Sequence, residues 1–251
     1  MKFIGLISFL LLGISVFGQL NQTDAKGKKQ GAWEKAYPKS KILEYKGQFK
    51  DGKPVGTFTY FYSSGNVKAI VKHGEGTNRS SAYFYHENRS LMSHGIYRDM
   101  KKDSIWLNFT PAGRLSSSET YKNDVLEGKM IVYYIPETME NTSKLISAVY
   151  NYKAGLRSGE AIEYFESGTI KSKGMYEDNK KVGVWDTFHS NGKKMMMERY
   201  KKGVHHGWHF AYDEAGKETG KKYFYYGEVL EGKKLEEKMR QMKELGINPN
   251  N

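Results

Sequence analysis

The chain has 251 residues, 14% of them aromatic, with 27 glycines, no cysteine and a formal net charge of +12. That length holds one or two ordinary domains, and the lack of cysteine excludes a disulfide-stapled fold. Many rings and glycines against few aliphatics argue against a helical core of packed Leu and Ile, and the charge favours anionic partners: acidic proteins, anionic lipid, polysaccharide or nucleic acid.

Residues 1–18, "MKFIGLISFLLLGISVFG", come first. Lys2 gives a positive start, Phe3 to Phe17 is uncharged and largely apolar, and Gly18 precedes the polar "QLNQTD". This is the layout of a secretory signal peptide cut between Gly18 and Gln19. The apolar run of about 15 residues falls short of the ~20 that a spanning helix needs. The expectation is an exported protein (periplasmic, cell-envelope or extracellular), for which nucleic acid is not an expected partner. Residues 19–30, "QLNQTDAKGKKQ", read as a linker with no core.

From residue 31 to 232 the text repeats. Near-equivalent positions are Gly31, Gly56, Arg79, Ser104, Gly128, Gly159, Gly183 and Gly207, 23 to 25 residues apart except for one interval of 31. The extra residues of that interval sit in "IPETMENTSK", Ile135 to Lys144. Nine residues after the start comes a turn residue: Ser40, Gly65, Asn88, Gly113, Gly168, Gly192 or Gly216. Gly and Asn are the residues that best accept positive φ.

Four positions before that turn lies an aromatic: Phe61, Phe84, Phe109, Tyr164, Phe188 or Tyr212, with Ala36 beside Tyr37 in the first unit. These rings, Phe188 among them, are expected to form the core. Stretches such as "TFTYFY" and "AIEYF" are β-branched and aromatic and read as strands. A second strand, such as "IKSKGMY", usually ends on an aromatic: Phe49, Tyr97, Tyr121, Tyr152, Tyr176, Tyr200 or Phe224. Three residues later stands Gly52, Met100, Asp124, Gly155, Asn179, Gly203 or Gly227, a second turn. Trp33, Trp106 and Trp185 fall two residues into a unit, and Trp208 falls one in.

A two-stranded unit cannot bury its own rings. Eight units of ~24 residues stacked edge to edge therefore give an all-β fold, one elongated open antiparallel β-meander stabilised by contacts between neighbours and laddered with rings. Its edges need covering, and residues 233–251 supply a short C-terminal capping helix and tail. Leu235, Met239, Met242 and Leu245 share one helical face there, and Gly246 and Pro249 end it.

The order of starting Gly, aromatic strand, Gly turn, and Tyr-x-x-Gly before the next Gly resembles the MORN-repeat variant family over residues 31–232. The third unit, with Arg79, Asn88 and Met100, departs most from it. The resemblance implies a scaffold. Bacterial members of the family include a group described as antitoxins of toxin–antitoxin systems, so it also implies an antitoxin-like neutraliser as one function.

His205, His206 and His209 in "HHGWH" are the candidate metal ligands. Adjacent His205 and His206 would point to opposite faces of a strand, Gly207 opens a new unit before His209, and only Asp213 stands at ligand spacing. The expectation is an ordinary turn, with no metal and no cofactor. Glu160 with Glu163 or Glu166, and Glu177, are the candidate paired carboxylates, and each sits at a variable repeat position that faces water. Asn-x-Ser/Thr acceptor sites begin at Asn21, Asn78, Asn88, Asn108 and Asn141. With no convergent catalytic set, the reading is an exported non-enzymatic repeat scaffold that binds another macromolecule, a protein, through its sheet surface. Envelope lipid or polysaccharide binding and antitoxin-like neutralisation are the alternatives.

Overall fold

The structure is a computed structural model that describes residues 19–135 and 145–250. The expected signal peptide, residues 136–144 of the inserted loop (with its acceptor Asn141) and Asn251 lie outside the described residues. Within them, 19 strands pair antiparallel with their neighbours in chain order to make one sheet that does not close, followed by the helix Gly232–Glu244. This is the expected meander. Residues expected as a linker do more than connect: Gln22–Thr23 pair with Gln30 and Lys29, so the chain turns back over the first sheet edge. The Asp24 carboxylate holds that turn by accepting the Lys26 and Lys28 amides, both at 2.9 Å.

The repeat's starting glycine lies inside a strand. Lys180–Phe188 contains Gly183, whose φ is +66°. Across the pair, Lys173 faces Asp186 and Met175 faces Val182, so Gly174 alone spans three residues, Gly183 to Trp185. This is a bulge, and its left-handed residue favours Gly. The third unit lacks it. His73 pairs directly with Ser80, and strands Val67–His73 and Arg79–Tyr85 run without a register shift because the spare residues widen the turn at Gly74–Asn78 instead. Ser80, not Arg79, is therefore the equivalent of the starting Gly. The register moves by one: Arg89, not Asn88, takes the left-handed turn position with φ +72°, and Tyr85, not Phe84, pairs across the turn with Leu91.

The second turns hold two residues with positive φ, such as Asp178 at +47° and Asn179 at +66°, the hairpin geometry that suits strand twist. Met100 occupies one of these positions with φ +63°.

The bulge also decides which ring is buried. Phe58, Trp106 and Trp185, two residues after the starting position, are 2%, 1% and 5% exposed. Phe188 and its equivalents, expected as the core, are only half-buried. The bulge carries the earlier ring over the preceding strand, while the later one stands near the turn. Phe58, Val71, Ala82 and Trp106 form one cluster, with Tyr45, Phe49, Tyr60, Phe84, Tyr97 and Tyr121 packed on it.

The C-terminal helix covers the opposite face at the last unit. Met242 is buried against Tyr223 and Leu230, with Leu235, Met239 and Trp208 around them. Leu245, expected on that face, is the C-cap and is 71% exposed. Gly246 follows at φ +65°, and the Ile247 amide returns to the Met242 carbonyl at 2.8 Å, closing the helix. Among the described residues no helix is long and apolar enough to cross a membrane.

Candidate functional site

Cross-strand pairing puts one residue from each bulge, one cation and one residue of the preceding strand on the same face. In the unit containing Trp185, these are Trp185, Lys181 and Gly174. The Lys181 ammonium sits 4.3 Å from the Trp185 ring centre and 5.0 Å from that of Tyr200. Lys102 repeats this over Trp106 (4.5 Å) and Tyr121 (4.7 Å). Lys29 does so over Trp33 (4.3 Å) and Phe49 (4.7 Å). Arg157 lies 4.2 Å over Tyr150 and 5.6 Å from Tyr176. Four units thus carry a cation over two rings on this face, the rungs of an incomplete ladder, while Pro54, Leu126 and His205 stand at the equivalent position in three others. Glu119 and Glu163 interrupt it. Glu119 accepts the Tyr121 hydroxyl at 2.7 Å, and Glu163 accepts that of Tyr150 at 2.8 Å. Burial first, then its carboxylate neighbour, pushes the Tyr150 phenol up to about 12.

The last unit breaks the pattern. His205 stands where the cation is expected, His209 where the Trp is, and Glu198 where Gly47, Gly95 and Gly174 stand in other units. The ligand atoms of Glu198, His205 and His209 all lie within 4.8 Å of one another. His205 Nε2 is 3.6 Å from Glu198 Oε1 and 2.8 Å from the Tyr200 hydroxyl. His209 is 5% exposed, its Nε2 3.0 Å from the Arg199 carbonyl and 3.1 Å from the Arg199 amide. Burial holds its imidazole below the usual range. Burial, then Glu198, pushes the Tyr200 phenol up to about 12. A cavity of about 350 Å³ opens onto the cluster, walled by Met196, Phe210, Phe224 and Lys222.

Sequence spacing placed His205 and His206 on opposite faces, and they are so placed: the Tyr226 amide donates to His206 Nδ1 at 3.2 Å, away from the cluster. It missed that His209, four residues on, shares the face of His205 across the bulge at Gly207. It also missed Glu198, which the neighbouring strand supplies. Asp213 instead closes a turn by accepting the Lys217 amide at 2.9 Å. A signal was present, since "HHGWH" departs from the Lys-x-Gly-x-Trp seen at Lys181–Trp185, but it needed the aligned register to be read.

The paired carboxylates do not meet. Glu163 faces the ladder and also accepts Ser172 Oγ at 3.2 Å, whereas Glu160 lies on the other face, opposite Met175. Glu166 lies in the turn at Gly168, and Glu177 pairs with Lys180 at a strand end. Asn108 is within a strand, half-buried, and donates to Ser117 Oγ at 2.9 Å.

No family model matches the chain, and no curated protein matches it. Among solved structures, three likenesses are distant ones. A TarM variant of S. aureus, in complex with fondaparinux, alpha-GlcNAc-glycerol and UDP, is similar at TM-score 0.26 and 10% identity over 51% of this chain and 19% of that one. TarM itself gives 0.25 and 12% over 53% and 20%. A TcdB2-TccC3-Cdc42 structure gives 0.19 and 10% over 68% and 12%. The chain spans about a fifth or less of each, and likenesses this slight carry no functional argument.

Proposed function

We propose that this chain is an exported, non-enzymatic repeat scaffold whose ring-and-cation face binds another macromolecule, an acidic protein. The observation that supports this is the set of cations on that face: Lys29, Lys102, Arg157 and Lys181 each sit over two rings at equivalent positions of four units. Positive charge held on aromatic surface suits a partner that presents carboxylates at a matching interval. The net charge of +12 steers association in the same direction.

The test uses protein isolated from its native host. Intact mass should place its N-terminus at or near Gln19, and a full-length cytosolic species would reject export. Wild-type chain should retain a partner from envelope extracts that Lys102→Gln/Lys181→Gln loses. Retention by both would reject the face. Binding of the wild type to anionic vesicles or to purified envelope polysaccharide, with no protein retained, would replace the protein partner by the envelope itself.

A further inference from the structure

We propose that Glu198, His205 and His209 form a site for one divalent transition cation, with Zn²⁺ the fitting ion. The site is independent of the partner-binding ladder. Its ligand set is two imidazoles and a carboxylate. These borderline nitrogen and hard oxygen donors take Zn²⁺, Co²⁺ or Ni²⁺ in preference to Mg²⁺ or Ca²⁺, which want oxygen alone.

Distance permits it. Ligand atoms about 2.0–2.2 Å from a tetrahedral Zn²⁺ stand roughly 3.3–3.6 Å from each other. Here they already lie within 4.8 Å, and the His205–Glu198 pair is at 3.6 Å. Side-chain rotation of about an ångström completes the approach without moving a strand.

The repeat supplies the stronger argument. Two other units solve the packing at these three positions with Lys, Trp and Gly, at Lys102, Trp106 and Gly95 and again at Lys181, Trp185 and Gly174, whereas the fifth unit uses Leu126, Met130 and Glu119. The last unit also replaces all three, and there each replacement is a metal-ligating type. Glu119, at the same position in the fifth unit, is met by the Tyr121 and Ser117 hydroxyls, whereas Glu198 lies beside two imidazoles on neighbouring strands, one of them 5% exposed. The surroundings resemble those of held ligands. The Arg199 backbone holds His209 Nε2, an outer contact of the kind that orients an imidazole binding metal through its other nitrogen; the Tyr200 hydroxyl sits on His205 Nε2, the nitrogen nearest Glu198, and is displaced when that nitrogen takes the ion. Three protein ligands leave a coordination position facing the cavity of about 350 Å³. Lys222 borders it, which favours an anionic group or hydroxide there over a neutral one.

Titration of the chelator-treated full chain with Zn²⁺ alone, read by calorimetry, tests the site. One Zn²⁺ per chain is expected. Glu198→Gln and His205→Gln should each weaken binding at least tenfold, while His189→Gln should leave it unchanged. Mg²⁺ should not compete. No uptake by the wild type at tens of micromolar, or uptake that survives both cluster substitutions, would overturn the proposal. A second measurement does not depend on variants folding: Co²⁺ added to the wild type should give the intense visible bands of a low-coordinate ion. Only the weak spectrum of aqueous Co²⁺ would also overturn it.

Discussion

The Trp185 indole lies so close over Gly174 that a Cβ on that glycine would overlap ring atoms Cγ, Cδ2 and Cε2, and the indole Nε1–H donates to the next carbonyl, Met175, at 3.1 Å. Trp106 over Gly95, with its Nε1–H on the Ile96 carbonyl at 3.2 Å, is the same device three units away. Gly174 is ordinary in φ, so its role is steric. Gly174→Ala should destabilise the chain by about 1–3 kcal/mol through overpacking. Gly220 has nothing within 4 Å of a built Cβ, so Gly220→Ala should be neutral or mildly stabilising. Chemical denaturation of both checks this, and equal midpoints would count against the ring-over-glycine lock.

Trp185 should outweigh Phe188. Truncating the 5%-exposed indole removes a buried ring and its hydrogen bond, and Trp185→Ala should cost about 3–5 kcal/mol. Phe188 is half-buried, so Phe188→Ala should cost clearly less. Because an array is stabilised chiefly between neighbours, hydrogen exchange in the Trp185 variant should rise first in the adjoining units.

His73 should make stability fall in mild acid. Its Nδ1 is 2.9 Å from Ser80 Oγ, its Nε2 is buried without a hydrogen-bond partner, and burial lowers its pKa from the usual 6.5. The folded state therefore resists protonation that the unfolded chain accepts. Below about pH 6.5 the unfolded state binds more protons, so stability is full above that pH and declines as the solution is acidified towards the lowered folded value. In His73→Gln this contribution vanishes. The stability advantage of wild type over variant should shrink between pH 7 and pH 5, and a constant difference would exclude the effect.

Met100 holds φ +63° while 66% exposed, so its side chain gains little from burial to offset the strained backbone. Met100→Gly should raise stability by about 0.5–1 kcal/mol, the relief exceeding the added freedom of the unfolded chain. Thermal unfolding measures it, and a lower midpoint would show that Met100 packs more than its exposure suggests.

The sequence by itself determined the architecture. Turn chemistry is local, so Asp178-Asn179 and Gly192 announce their hairpins without reference to the rest of the chain. A fixed period of such hairpins can bury its rings only by stacking. Met242, in a helical pattern after the last unit, likewise reads as a cap. Only the tertiary structure decided what depends on two strands at once. The bulge at Gly183 is visible only as three residues opposite Gly174, and that mismatch lays Trp185 over Gly174 while Phe188, three residues on, faces the Lys173 ammonium. The third unit keeps its length but moves the spare residues from bulge to turn, which hid the equivalence of Ser80 and of His73, the latter standing where other units place a Tyr or Phe. Glu198, His205 and His209 meet because pairing of adjacent strands and the bulge at Gly207 sum to bring one face together. Sequence spacing along one strand cannot report a contact made across the hydrogen-bonded direction of the sheet.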